Sequence, residues 1–222
     1  MRLGVRPAVF LGRLVVFFFL TYLLFLPLGS AYAHLLAFLT QGFLHLTEIS
    51  SDPNLNQATQ MWARETAIFY VHRLFPMVHP PGIPAEWVQA NLVLLIPLML
   101  ATPARSYRQR FVRLGAALAI ALGLQVLDIA VTVKSFYASQ LGRYSQIYYS
   151  PTLRWLYQFG DAFTESMDTQ LFPFVIWAGV HFNQLLGRGT PAPTPAPAAA
   201  TVASTEATRR KDKPAKKAAG AR

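Results

Sequence analysis

Three polar side chains interrupt apolar runs, and any chemistry would have to start from them. Gln125 and Asp128 lie in "AIALGLQVLDIAVTV", residues 118–132, and His181 lies in "WAGVHFNQ". A carboxylate and an imidazole can relay a proton, hold a cation or bind a polar partner where water is scarce. Gln125 and Asp128 are three residues apart, which on a helix turns both toward one face. Counted from Arg113, Asp128 lies ~22 Å along a helix, in the outer half of a bilayer. His181, counted from Met167, lies ~21 Å down the last apolar segment, in the inner half. The difference in depth argues against direct pairing. A charge at mid-span costs roughly 2.5–3.5 kcal/mol on insertion scales and less nearer the surface, so Asp128 needs a partner. That partner is a second subunit, a translocated polypeptide, a neighbouring helix of the same bundle, or water from the outer loops. The internal bond is the simpler expectation, and for His181 so is a packed, hydrogen-bonded ring.

Other combinations are weaker. His34, His45 and Glu48 could in principle gather on one helix surface, but their spacing matches no metal-ligand pattern. His72 and His79 flank "RLFPMV" and point to nothing more specific. No phosphate-cradling glycine loop, nucleophile elbow or carboxylate pair is present. Cysteine is absent, which removes disulfides, thiolate metal sites and cysteine nucleophiles. The residues imply no catalytic group, cofactor, metal or small-molecule substrate.

The elements that would position these groups are membrane helices. Of 222 residues 53% are hydrophobic and 14% charged, against about 25% charged in soluble domains. Four apolar segments, about 9–28, 87–101, 111–133 and 167–186, predict an all-α four-helix transmembrane bundle over residues 1–187, since about 20 residues cross the hydrocarbon. Arg2, Arg6 and Arg13 precede the first segment, and Arg105, Arg108, Arg110 and Arg113 crowd the link between the second and third. Arg188 opens a tail with seven further Lys or Arg. The intervening regions, about 48–86 and 134–166, carry only Arg64, Arg73, Lys134, Arg143 and Arg154. By the positive-inside rule, both termini are cytoplasmic.

The start, an arginine-bearing stretch and an apolar run ending in "LGSAYA", has a signal-peptide outline. The apolar run is long and "HLLAFLTQGFLHL" follows, so an uncleaved anchor is expected rather than cleavage after Ala33. Residues 31–48 are amphipathic, with Leu35, Leu39, Phe43 and Leu46 at helical spacing. They either lie at the outer interface or continue the first span. "TAIFYVHRLF" makes the 52–86 loop either a short hairpin or a helix, the hairpin being preferred. Ser150 and Pro151 mark a helix start, and Trp87, Trp155 and Tyr157 fit an outer aromatic belt. Residues 188–222, rich in Pro, Ala and Lys, read as a disordered tail. That tail is either a solubilising, topology-fixing segment or a contact for anionic lipid, the former being preferred. Without interleaved aromatics it does not suggest nucleic acid.

Over roughly residues 10–187 the layout resembles membrane proteins of the exosortase/archaeosortase type, above all the exosortase-associated ones. The segments carrying the likeness are "ANLVLLIPLMLATPARSYRQRFVRLGAALAIALGLQVLDI" and "YSPTLRWLYQFGDAFTESMDTQLFPFVIW". The resemblance implies a multi-pass protein of the bacterial cytoplasmic membrane. Exosortases resemble cysteine transpeptidases using Cys, Arg and His. Here "QANLV" stands where the nucleophile would be and "LQVLDIAV" where the arginine would be. Neither Ala90 nor Asn91 can form the covalent intermediate. What the resemblance then implies is a non-catalytic accessory protein of a protein-sorting system, partnered by lipids and a larger membrane protein. A small transporter or channel component using Asp128 and His181 is the alternative, although four spans without broken-helix repeats are few for one. A cysteine-free intramembrane enzyme would need polar groups at one depth.

Overall fold

The computed structural model describes residues 7–48, 58–75, 77, 79–104, 106–168 and 171–185. The tail at 188–222 and Arg2, Arg6, Arg105 and Arg188 lie outside them. The described chain is mostly helical, in the order α1 (Pro7–Thr47), β1 (Thr59–Arg64), β2 (Ala67–His72), β3 (Gly82–Pro84), α2 (Ala85–Ala101), α3 (Tyr107–Gln140), α4 (Arg143–Tyr148), α5 (Pro151–Asp168) and α6 (Phe172–Leu185). α1 and α3 are long and apolar enough to cross a membrane, while Gln89–Ala101 and Phe172–Phe182 are shorter apolar helical stretches.

α1 takes one of the two courses open to residues 31–48: it continues as a single helix to Thr47. At 41 residues it is ~62 Å long, about twice the hydrocarbon thickness. Its distal half buries Gly29, Ala33, Leu36, Ala37, Thr40 and Leu44, a stripe at three- and four-residue steps. The stripe is mostly small because α2, α3 and β1 all approach it closely.

The expected hairpin is present and gains a third strand. β1 and β2 pair antiparallel from Thr59↔His72 to Arg64↔Ala67, and β3 adds to β2 through Ile68↔Ile83. Alternation puts Thr59, Met61, Ile68, Tyr70 and His72 inward and leaves Trp62 stacked on Phe69 outside. The two-residue turn has positive φ at Glu65 alone, the pattern of a II′ turn.

Two cores result. A distal core joins Leu36 and Leu44 of α1 to Met61, Ile68 and Tyr70 of the sheet and Ile129, Val133 and Tyr137 of α3. A proximal core joins Leu92, Leu95 and Met99 of α2 to Ala117 and Ala121 of α3 and Ile176 of α6.

The region expected to be an outer loop at 134–166 is largely helical. α3 does not stop at 133 but runs to Gln140, because Val133, Ser135, Tyr137 and Ala138 remain buried beneath the sheet and α4. α5 then folds back along α3. The last apolar helix starts at Phe172 rather than 167, and Met167 belongs to α5. His181 is therefore ~14 Å from the start of its helix, not ~21 Å.

Candidate functional site

Gln125 and Asp128 share a helix but not a neighbour. Gln125 is buried, and its Oε1 accepts a hydrogen bond from the Tyr32 hydroxyl of α1. Asp128 faces α5, where Thr164, Asp161 and Glu165 surround its carboxylate, and the Thr164 hydroxyl donates to the Asp161 carbonyl at 3.1 Å. One turn further, Thr132 Oγ1 donates to Asp161 Oδ1 at 2.7 Å. Between these bonds Gly160 lets α5 close on α3: a Cβ there would stand 3.1 Å from Val131 Cγ1. The polar side of α5 is thus turned inward. Its apolar side, Trp155, Leu156, Phe159 and Phe163, is exposed, with successive rings stacked at 5.3 and 6.2 Å.

His181 is buried on α6, and its Nδ1 bonds the Trp177 carbonyl at 2.9 Å, as a donor if protonated there. Trp177 Nε1 donates to Thr102 Oγ1 at 2.8 Å, tying α6 to the end of α2. Arg113 of α3 is the charged group close to His181. Arg113 and Asp128 are separated by about four turns, so Asp128 and His181 do not meet.

At the distal end Glu48 accepts from Lys134 Nζ at 2.5 Å, from Thr59 Oγ1 at 2.7 Å and from the Thr59 N–H at 3.3 Å. His45 Nε2 bonds the Thr59 carbonyl and Gln41 Oε1 accepts from the Met61 N–H. Side chains at the end of α1 therefore complete the ladder edge that β1 leaves open. His72 is enclosed by the rings of Phe75, Tyr137 and Tyr144. Its Nδ1 accepts from the Leu74 N–H, so the neutral ring carries its proton on Nε2, 3.2 Å from the Tyr144 hydroxyl. Burial holds the His72 pKa below its ordinary value, Glu48 opposes that shift and Lys134 reinforces it. Burial also pushes Tyr144 up to about 12, with Glu48 and Tyr148 adding to it. With His72 3% exposed, this constellation is closed to a substrate and acts in packing.

The open feature is a groove of about 640 Å³ on the flank between α1 and α2. Gly29 draws α1 and α2 together beside it. The Gln89 amide donates to the Gly29 carbonyl at 2.9 Å, and a Cβ at Gly29 would stand 3.0 Å from Gln89 Oε1. From there the groove is walled by Phe18, Tyr22, Phe25 and Leu26 on α1 and by Val93 and Leu94 on α2. Its mouth holds Thr66 and Glu86, with Thr66 Oγ1 donating to Glu86 Oε1 at 3.3 Å. An apolar slot with one carboxylate at its mouth can accept an apolar rod bearing a cation or hydrogen-bond donor at one end. The groove leaves little trace in the sequence. The only available signal was Glu86 and Gln89 three residues apart at the start of an apolar helix.

Among the described residues no cluster of three or more His, Asp or Glu could hold a metal. No protein-family model, curated protein or solved structure matches this chain.

Proposed function

We propose that this protein is a non-catalytic accessory subunit of a bacterial cytoplasmic membrane. It crosses the bilayer four times with both termini in the cytoplasm, and holds a transmembrane helix of a partner or client of a protein-sorting system in the α1–α2 groove. The groove is the observation that carries this reading. It opens sideways where the flank of α1 is almost wholly apolar and exposed, so its occupant arrives from lipid rather than from water. Glu86 at the mouth favours an occupant with a basic or amide side chain at its outer end.

Two further features support the placement. From Arg113 to Val133 α3 rises ~30 Å, the thickness of the hydrocarbon, with arginines before that interval and Lys134 and the sheet after it. The exposed ladder of aromatic side chains on α5 also suits lipid. The sorting assignment draws on the resemblance of the segments beginning at Ala90 and Tyr149, and the lack of cysteine removes the transpeptidase step. The transporter alternative gains nothing from Asp128, which faces α5, or from His181, which is bonded to Trp177 of its own helix near Arg113, about four turns away along α3.

A photo-crosslinking side chain at Val93 tests this reading in cells, with Phe111, an exposed apolar position on α3, as the control. Val93 should yield adducts with a membrane protein through its transmembrane helix. Ala90→Trp, which fills the groove, should remove them and impair client processing. Equal adducts from Phe111, or normal processing by an Ala90→Trp protein that accumulates normally, would refute it.

A further inference from the structure

The opposite end of the helices holds a second cavity, of about 460 Å³, beneath the connection between α2 and α3. Arg13 and Phe17 of α1 form one wall, and Leu100 of α2 and Tyr107 and Arg110 of α3 form the other. We infer that this cavity is a binding site for a phosphate-bearing anion, with Arg13 and Arg110 as its cationic clamp.

The electrostatics at this end are one-sided. Among the described residues the only ion pair is Lys134–Glu48, at the far end of α3. Asp128, the nearest carboxylate along α3, lies five turns from Arg110, or ~27 Å. Arg110 is partly buried, and its Nε is shut off from solvent with no hydrogen-bond partner. Nη1 of Arg113, one turn further in, is in the same position. Of these two arginines Arg110 lines the cavity and Arg113 does not, so an anion there pairs with the Arg110 guanidinium and offsets part of the cost of burying it.

The start of α3 adds to the clamp. The Ser106 side chain accepts from the Gln109 N–H at 3.2 Å and its carbonyl accepts from the Arg110 N–H at 3.1 Å. Helix geometry leaves the N–H groups of Tyr107 and Arg108 without intrahelical acceptors, at the positive end of a 34-residue helix. The Arg110 guanidinium lies 6.0 Å from the centre of the Tyr107 ring, which steadies its plane. A guanidinium fork matches two phosphate oxygens at once.

The site's depth and walls favour a lipid as the source of the phosphate. Arg113 is ~32 Å along α3 from Lys134, so the cavity stands at the headgroup level of the inner leaflet. Phe17 and Leu100 offer apolar surface for the first carbons of acyl chains. A lipid seated here would brace the proximal half of α1, of which Thr21 is the only buried residue before Gly29. The inference depends on the membrane-spanning reading and not on the sorting partner, so it survives a negative crosslinking result in the α1–α2 groove.

The test is native mass spectrometry of the full-length protein with added phosphatidylglycerol or phosphatidylcholine, alongside thermal unfolding with inorganic phosphate. The basic tail is then constant across all variants. The unaltered protein should retain phosphatidylglycerol over phosphatidylcholine by about tenfold or more, the scale expected for two interfacial charges. Arg13→Gln with Arg110→Gln should abolish that preference. Ala104→Trp, which fills the cavity and leaves every charge in place, should abolish it too and covers the case in which the double variant does not fold. Arg108→Gln, an exposed arginine outside the cavity, should leave it unchanged. Protection by inorganic phosphate without preference for the lipid, lost in the same variants, would support the same site with a soluble anion as occupant. The inference fails if Ala104→Trp and the double variant keep the preference, or if Arg108→Gln loses as much as they do.

Discussion

The two halves of α1 are one helix in two surroundings. Residues 7–28 bury Thr21 alone and expose a nearly continuous apolar surface, including Phe18, Phe19, Leu20, Leu23 and Leu24. Residues 29–47 bury a stripe of small and branched side chains against α2, α3 and the sheet. In the first half the apolar side chains face outward and gain little from contact with the rest of the described chain. In the second half they exclude water from a distal core whose edge holds a paired charge. Stability therefore concentrates at the distal end, and the proximal half is left exposed, as the partner helix and the lipid proposed above require.

That contrast breaks most readily at Glu48. Glu48→Ala strands the Lys134 ammonium and the Thr59 N–H and hydroxyl in one step. Losing one member of a buried pair costs about 3–5 kcal/mol, toward the lower end here because Lys134 is 16% exposed. Phe19→Ala, at an exposed position of the proximal half, should cost less than about 1 kcal/mol. Unfolding in a fixed detergent measures both, and equal losses would contradict the contrast.

Acid should loosen the distal end. His72 is held neutral, with its folded pKa below the unfolded value of about 6.5. Its contribution is complete above that pH and is lost as the pH falls through the lowered folded value, since the unfolded chain binds the proton more readily. Proteolysis of the 59–84 sheet should accelerate below about pH 6.5, and His72→Gln should flatten that dependence while lowering protection throughout.

The smallest effect sharpens the same picture. Glu65 has φ of 55°, a conformation that suits glycine, at the tip of the hairpin. Glu65→Gly should stabilise the sheet by a few tenths to about 1 kcal/mol, visible as slower amide exchange across β1 and β2 and unchanged exchange in α1 before Gly29.

Much of this was legible in the residues. The β-branched and aromatic run around Tyr70 marks the hairpin, and Ser150 followed by Pro151 marks the start of α5, where the Leu153 N–H does bond Ser150 Oγ at 3.2 Å. Gln125 and Asp128 stood out as polar groups needing partners. Which partner each takes was not legible, because Tyr32 and Thr164 lie 93 and 36 positions away and neither spacing leaves a periodic trace. The α1–α2 groove was hidden for the same reason. It depends on Gly29 and Gln89, 60 residues apart, closing on each other.

Sequence by itself determined the apolar segments, their lengths and the crowding of arginine at one end, because insertion energy is summed residue by residue along the chain. Tertiary structure alone decided which way each face points. In water an amphipathic helix turns its apolar side inward, and periodicity then reveals the core. Here α5 leaves Trp155, Phe159 and Phe163 exposed and keeps Asp161 and Thr164 for α3, an arrangement that surroundings as apolar as the interior would permit. Hydropathy cannot separate these two arrangements, and only the packing of α5 on α3 does.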